Sequence, residues 1–221
     1  MILGVDTAGR RGGVALLAPD GAVWARDLGE QGRHAEALIP AVLELLEDAD
    51  LGWEEIRLAA VNVGPGSFTG IRVGVAAVLG LALSRNLKGA GVGCIDIHAR
   101  ACYDAMSHPT GGYIVSAADV RRGEAVVGRF RAEAAGPRRE GDDRLVSVED
   151  PGAVPPEGTT VTGDAAGLLW PQAPGLSRWV AGGRERAVAA ARLGEAALLA
   201  GEVEPPVPRY ARPADARPRR R

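Results

Sequence analysis

The sequence predicts an α/β protein in two parts, of which the second is a reduced copy of the first. Short β-favouring runs alternate with long apolar helical segments, and a Gly- and Pro-rich break at residues 107–112 divides the chain. An opening hairpin with an Asp in its first turn occurs twice, near Asp6 and near Asp119. The predicted parts are residues 1–108, residues 109–204 and an extended Pro- and Arg-rich tail at 205–221.

The composition is that of an ordinary soluble globular protein. The 221 residues are 46% hydrophobic and 24% charged. The sequence has no run of 18 or more apolar residues, and it begins at once as a strand without the basic region of a signal peptide. We therefore expect a cytoplasmic protein with no membrane span. Cys94 and Cys102 fall in no metal or redox spacing and are expected to be reduced thiols.

The charge is distributed unevenly along the chain. The net charge is −2, but residues 205–221 hold six Arg and one Asp, so the remainder carries −7. An acidic body argues against broad nucleic-acid binding by that body. We expect the basic end, Arg217–Arg221, to be a solvated chain end, and contact with RNA is the alternative.

The first part is predicted to open with three strands, in which the turn Pro19–Gly21 marks a hairpin. Pro40 lies within the first turns of the first helix, where a missing N–H costs least. The predicted elements are strands Ile2–Asp6, Gly13–Ala18 and Ala22–Leu28, helix His34–Ala49, strand Leu58–Val63, helix Thr69–Arg85, strand Ala90–Ile95 and helix His98–Ala105.

The second part repeats this opening pattern with weaker elements. Its last helix is rich in Ala and ends at Gly201. The predicted elements are strands Tyr113–Ala117 and Glu124–Arg131, a polar loop at Ala132–Asp143, weak strands Leu145–Val148 and Thr159–Val161, a short helix ending near Trp170, and helix Arg184–Ala200.

Helix Thr69–Arg85 is apolar nearly all round, so it must be covered on two sides. Gly66, Gly70 and Gly74 recur every four residues, a spacing that lets another backbone approach closely. Helix His34–Ala49 also has apolar residues beyond a single face. Together the two helices predict an intermolecular helix-on-helix interface. The alternative is that the second half of the chain covers both helices.

A glycine loop precedes the second of these helices and suggests phosphate binding, since a helix start attracts anions. The loop has the spacing G-x-G-x-x-x-G, one residue longer than the dinucleotide fingerprint, and it lacks the Lys of a Walker A loop. A plain structural turn is therefore the alternative. The candidate anion or nucleotide residues are Asp6, Gly66, Thr69 and Arg72.

The residues by themselves predict no metal site and no active site. His34, His98 and His108 lack a second His at helical spacing, and each is interpreted as a surface or capping residue. Asp6 and Asp119 each follow a strand, where a carboxylate can hold Mg-nucleotide. Neither has a Gly two residues later that would let a phosphate lie against the backbone.

The string Gly-Pro-Gly-Ser-Phe-Thr-Gly-Ile-Arg-Val-Gly at residues 64–74 resembles the signature of the TsaB (YeaZ-type) family. Members are non-catalytic partner subunits in bacterial synthesis of N6-threonylcarbamoyladenosine at tRNA position 37. The resemblance is strong over residues 1–100 and patchier over 132–200. Further matching stretches are Ile2–Thr7, Arg33–Pro40, Asp119–Glu124 and Pro208–Arg217.

The resemblance implies an actin/Hsp70-like (ASKHA) fold with two related lobes, the second reduced. It also implies a scaffold or activator that is not an enzyme. Such a subunit binds a TsaD-type catalytic subunit and so supports threonylcarbamoyl transfer to N6 of adenosine 37. A TsaE-type ATPase is a second implied partner, tRNA is reached only through the complex, and the chain alone forms a homodimer. No cofactor is implied, except ATP at a shared interface in the complex.

Two departures from related proteins agree with a non-catalytic role. The catalytic relative has a metal-binding H-x-x-x-H, where this sequence has only His34, and the older peptidase label of the superfamily finds no support in these residues. The alternative function is an ASKHA-type nucleotide-binding phosphotransferase or ATPase that uses Asp6, Asp119 and the glycine loop.

The resemblance places the partner-binding surface on the two long helices of the first lobe. The expected contact residues are Ala35, Leu38, Val42, Leu45, Gly70, Val73, Gly74, Ala77, Val78 and Leu81.

Overall fold

The structure of the protein is a computed structural model. It contains two mixed β-sheets, and each is a hairpin extended by parallel strands. The structure describes residues 1–106, 111–171, 173 and 175–211. Its strands are β1 (Ile2–Asp6), β2 (Arg11–Leu17), β3 (Val23–Glu30), β4 (Leu58–Asn62), β5 (Lys88–Val92), β6 (Tyr113–Asp119), β7 (Glu124–Glu133), β8 (Gly136–Arg139), β9 (Arg144–Ser147), β10 (Thr160–Thr162) and β11 (Ser177–Trp179). Its α-helices are α1 (His34–Asp48), α2 (Phe68–Arg85), α3 (Cys94–Ala105), α4 (Ala166–Leu169) and α5 (Gly183–Ala200).

The two sheets share one connectivity. The first has the order β3-β2-β1-β4-β5, with an antiparallel β1–β2–β3 meander and with β4 and β5 parallel to β1. The second has the order β11-β10-β6-β7-β8, and β9 also pairs with β7. In it β6 and β7 are antiparallel, while β10 and β11 continue parallel to β6. The predicted duplication of an α/β unit is therefore confirmed.

Helices cover both faces of the first sheet. Because side chains alternate along a strand, Leu3 and Val5 of β1 face the core beneath α1 and α2. Ile2 joins the opposite core, where α5 supplies the buried alanines Ala189, Ala190 and Ala191. Helix α3 lies against the second sheet and beside α5.

Helix α5 lies directly on the backbone of the first sheet because glycines face it. A Cβ on Gly4 would lie 2.8 Å from the Ala191 nitrogen, and one on Gly13 would lie 2.8 Å from the Arg184 nitrogen. The last helix thus packs on the first sheet, although the predicted second part runs to residue 204. The predicted boundaries stay a prediction, and residues 107–110 of the predicted break at 107–112 lie outside the described residues.

The two long helices of the first lobe begin and end within one residue of their predicted bounds. At the start of α2 the Ser67 hydroxyl accepts the Gly70 N–H at 3.2 Å, as an N-cap does. At its end Asn86 takes a left-handed conformation (φ 53°), which stops the helix.

Two predictions of local structure were wrong, and one strand was missed. Helix α3 begins at Cys94, not at His98, because its first turn buries Ile95 against the second sheet. The predicted polar loop after Ala132 contains β8, since a turn at Ala134 and Ala135 brings the chain back along β7. Strand β11 was not predicted at all.

The segment after α5 runs back along the first lobe. The Gly91 N–H donates to the Glu204 carbonyl at 2.9 Å, and the Arg209 N–H donates to the Val63 carbonyl at 2.7 Å. The predicted extended tail is thus described as far as residue 211, and residues 212–221 lie outside the described part.

Candidate functional site: the helix pair and the cleft between the sheets

Helices α1 and α2 pack side by side and expose large apolar side chains. Ile39 and Leu43 of α1 are 38% and 48% exposed, while Leu79 and Leu83 of α2 are 49% and 89% exposed. We call these four residues the helix-pair patch. Gly80 lies beside them, and a Cβ built on it would meet no atom within 4 Å. Exposed apolar side chains on two adjacent helices make this surface a candidate interaction site, and Gly80 leaves room for another backbone.

Most of the residues expected to bind a partner face the chain's own core. Leu38, Val42, Leu45 and Val78 are at most 1% exposed because they pack on the first sheet. The remaining six are Gly70, Gly74 and Leu81, which are buried, Val73 and Ala77, which are half-buried, and Ala35, which is exposed. The ten assignments stay predictions, and of the ten only Ala35, Val73 and Ala77 have side chains that are not buried.

The glycines of α2 serve contacts within the chain. A Cβ on Gly70 would collide with the Thr7 carbonyl, and one on Gly74 would collide with the Thr7 hydroxyl. The Thr7 hydroxyl in turn donates to the Gly70 carbonyl at 2.7 Å. Gly66 similarly faces the Ala8 carbonyl, at 3.0 Å from a Cβ. The space left by these three glycines is filled by the end of β1, not left open for a partner helix.

By length and composition alone, α2 could cross a membrane, which the sequence did not lead us to expect. It has 18 residues with a mean hydropathy of 1.4, and 33% of it is buried. Ile71 and Val78 are fully buried beneath the first sheet. The buried inner face makes α2 a core helix whose outer face carries the helix-pair patch.

Asp6, a candidate for binding a metal-nucleotide, is fully buried and already accepts three hydrogen bonds from within the protein. Its Oδ2 accepts Arg186 Nε at 2.9 Å and Asn62 Nδ2 at 3.0 Å, and its Oδ1 accepts the Ala8 N–H at 3.0 Å. Burial by itself would raise the pKa of Asp6, but Arg186 and Asn62 outweigh it and hold that pKa below its ordinary value. Asp6 is therefore a carboxylate that ties α5 to β1. Nothing in the sequence pointed to Arg186, which is 180 residues away.

The other candidate anion residues do not converge with Asp6. Thr69 is exposed in the first turn of α2. Arg72 donates from Nε to the Tyr210 hydroxyl at 2.9 Å, and its guanidinium lies 3.7 Å from the centre of the Phe68 ring. Arg72 thus anchors the segment after α5. In the second lobe, Asp119 Oδ1 accepts the Arg121 N–H at 2.7 Å, so this carboxylate is engaged locally.

A cleft of about 370 Å³ separates the elements of the two sheets. Gly66 and Arg186 line it from the first lobe, and Asp164 lines it from the second. Cys94 and His98 lie between them, with Cys94 Sγ 3.6 Å from His98 Nε2. Burial raises the pKa of the Cys94 thiol and lowers the pKa of His98. The pair is therefore a thiol beside a neutral imidazole, which is not an activated nucleophile.

The interpretation of the histidines as surface or capping residues was wrong for two of them. His34 and His98 are 3% and 4% exposed, and His108 lies outside the described residues. His34 lies between the Thr7 and Gly29 carbonyls, 3.3 Å and 3.2 Å from its two ring nitrogens. Within the described ranges, no three His, Cys, Asp or Glu side chains are grouped as a metal site requires.

Comparison with known proteins identifies the family to which this chain belongs. Residues 30–150 match the family model TsaD, tRNA N6-adenosine threonylcarbamoyltransferase. Over 130 residues the chain is 31% identical to the tRNA threonylcarbamoyladenosine biosynthesis protein TsaB of Bacillus subtilis, a match that covers 59% of this chain and 55% of that protein. The chain spans about half the length of the curated relatives it matches.

Solved structures share the fold over nearly the whole chain. YeaZ from Pseudomonas aeruginosa matches with a TM-score of 0.79 and 24% identity, over 94% of this chain and 99% of that one. The activator of 2-hydroxyisocaproyl-CoA dehydratase from Clostridium difficile, solved with bound ADPNP, matches with a TM-score of 0.51 and 11% identity, over 92% and 98% of the two chains. These likenesses confirm the actin/Hsp70-like fold class. The chain belongs to the TsaD family, and within it to the TsaB (YeaZ) type.

Proposed function

We propose that this chain is a non-catalytic subunit of tRNA threonylcarbamoyladenosine biosynthesis, which binds a TsaD-type catalytic subunit through the helix-pair patch. In this role it supports threonylcarbamoyl transfer to N6 of adenosine 37. The observation that carries the proposal is the exposure of Ile39, Leu43, Leu79 and Leu83 on two adjacent helices. The family match to residues 30–150, which include both helices, supports it.

The chemistry of the cleft supports a role without catalysis. Asp6 has its oxygens occupied by donors from the protein, and Cys94 is held as a protonated thiol. The same occupation of Asp6 disfavours the alternative function, a nucleotide-binding phosphotransferase or ATPase. We propose further that the subunit is soluble and cytoplasmic. A TsaE-type ATPase joins the complex, and the subunit reaches tRNA only as part of that complex. ATP, where present, lies at a shared interface.

Introducing a charge into the patch tests the proposed interface. Leu79→Glu and Leu83→Glu should each weaken binding to the TsaD-type subunit by tenfold or more, measured by calorimetry with the purified partner. Burying a leucine contributes about 1.5–3 kcal/mol, and a buried unpaired charge adds to that loss. The matched control is Leu199→Glu, because Leu199 is 79% exposed on α5 and lies off the patch.

All three substitutions fall on exposed positions, so the melting temperature should not change. Val78→Glu would be a poor test because Val78 is fully buried and the variant would lose its fold. In the absence of the partner, light scattering should show a homodimer that Leu83→Glu converts to a monomer. Unchanged affinity for the partner in both patch variants would refute the proposed interface.

A further inference from the structure

The exposed face of α2 continues beyond the helix-pair patch towards the start of the helix. Each residue of an α-helix adds a rotation of about 100°, so residues spaced by three or four positions share one side of it. One side of α2 carries the exposed residues Phe68, Arg72, Ala76, Leu79 and Leu83. We call these five residues the α2 stripe, which is about 22 Å long. A partner that packs on the patch and follows the stripe also reaches Phe68 and Arg72.

An aromatic cluster occupies the start of this stripe. The Phe68 and Tyr210 rings pack with their centres 5.1 Å apart, and the two residues are 47% and 38% exposed. The Arg72 guanidinium lies 3.7 Å from the centre of the Phe68 ring, and Arg72 Nε donates to the Tyr210 hydroxyl at 2.9 Å. We call Phe68, Arg72 and Tyr210 the aromatic cluster. Tyr and Arg are enriched among the residues that dominate binding energy, and side chains that are already ordered lose less entropy on binding.

Arg72 brings into the stripe a charge that the rest of the described chain does not neutralise. It forms no ion pair with a described residue, and its Nη1 and Nη2 donate to none. Covering a charge without supplying a counter-charge is strongly unfavourable. A partner that covers the stripe must therefore present an anion to Arg72. A carboxylate fits because its two oxygens can accept from both terminal nitrogens of a guanidinium.

A phosphate of RNA is the other anion that Arg72 could meet, but its surroundings disfavour a polynucleotide. Residues 1–106 contain nine Lys and Arg and thirteen Asp and Glu, so this part of the chain has a net charge of −4. The neighbouring helix α1 exposes Glu36 and Glu47. A polynucleotide brings one negative charge per nucleotide to this surface, whereas a protein can bring a single carboxylate. One face of the Phe68 ring also carries the Arg72 guanidinium and cannot stack on a base.

We propose that the partner-binding surface extends along α2 to the aromatic cluster, where a carboxylate of the partner pairs with Arg72. This inference rests on the proposed function, because the partner is the TsaD-type subunit that binds the helix-pair patch. The patch supplies the aliphatic contact. The cluster fixes the direction in which the partner lies along α2, since Arg72 is the one charged residue of the five in the stripe.

Calorimetry with the purified TsaD-type subunit tests the pairing. Arg72→Met keeps an aliphatic side chain over Phe68 but removes the charge, and it should weaken binding by tenfold or more. Added salt should weaken the binding of the wild type more than that of Arg72→Met, because salt screens the ion pair. Arg72→Lys should bind with intermediate affinity, since Lys keeps the charge but lacks the planar fork of the guanidinium.

Two controls separate recognition of the partner from anchoring of the segment after α5. Tyr210→Phe removes the hydroxyl that accepts from Arg72 but keeps both rings and the charge, so the affinity should stay within about twofold. Arg85→Met removes another exposed charge of α2, whose guanidinium lies 5.1 Å from the centre of the Trp53 ring and outside the stripe, and it should change the affinity as little. All of these positions are exposed, so the melting temperature should not change. Equal loss in Tyr210→Phe and Arg72→Met would overturn the proposal, because Arg72 would then act only as an anchor.

The patch variants distinguish a failure of this inference from a failure of the proposed function. If Leu83→Glu weakens binding but Arg72→Met does not, the partner covers the patch without reaching the cluster, and this inference alone is overturned. If neither variant weakens binding, both are overturned. Binding of an unmodified tRNA transcript to the isolated chain, lost in Arg72→Met, would assign the cluster to RNA and would also overturn the proposal.

Discussion

Replacing Arg186 with Met should show how strongly the buried ion pair holds α5 to β1. Asp6 would keep Asn62 and the Ala8 N–H as donors but lose the cationic partner Arg186, and it has no exposed surface. A buried charge left without its partner costs about 3–5 kcal/mol. Since each kcal/mol shifts the melting temperature of a chain of this size by about 2–4 °C, we expect a fall of roughly 6–20 °C at neutral pH.

The loss of stability in Arg186→Met should shrink in acid. In the wild type the folded pKa of Asp6 lies below its ordinary value of 3.8, so its stabilising contribution is present above that value and is lost as the pH falls through the lowered pKa. In the variant, burial is no longer opposed by Arg186 and raises the pKa of Asp6. The loss of stability in Arg186→Met is therefore complete above the raised pKa of Asp6, and it declines as the pH falls towards 3.8.

Urea unfolding followed by circular dichroism measures both effects, at neutral pH and near pH 4. The control is the double variant Asp6→Asn with Arg186→Met, which removes both charges and should recover most of the lost stability. A loss of less than about 1 kcal/mol at neutral pH, or an equal loss in the double variant, would refute the reasoning.

Two further predictions concern the cleft. Calorimetric titration of the isolated chain with Mg-ATP should give no binding heat because the oxygens of Asp6 are occupied; tight binding that is lost in Asp6→Ala would instead favour a phosphotransferase. Iodoacetamide at about pH 8 should leave the native thiols unmodified, since burial raises the pKa of Cys102 to about 12 and that of Cys94 further. Mass spectrometry should detect two alkylations in urea, and rapid labelling of the native protein would contradict the burial.

The local fold was largely predictable, whereas the orientation of the helices was not. Caps and turns near α1 and α2 are encoded by neighbouring residues, such as Ser67 and Asn86, so the predicted bounds were accurate. Helix α2 is apolar on every side, so its periodicity does not tell which side faces the sheet. For that reason the predicted contact residues include Val78, which faces the core, and do not include the exposed Leu79 and Leu83.

The ion pair behind the cleft depends on residues far apart in the chain. Asp6 and Arg186 are separated by 180 positions, and no local pattern links them. Sequence reasoning identifies such residues only after the fold brings them together.

The position of α5 has a consequence for the order in which the protein can fold. Strands β1, β2 and β4 are complete once residue 62 has been made, but the helix that covers one of their faces ends at residue 200. At about 5–20 residues per second, the ribosome needs roughly 7–28 s to synthesise the intervening chain. During that time Ile2, Leu58 and Ala60 lack the cover that α5 supplies in the finished protein. We therefore expect the first sheet to reach its native stability only after synthesis is nearly complete, so that nascent chains depend on chaperones for longer than their short length suggests.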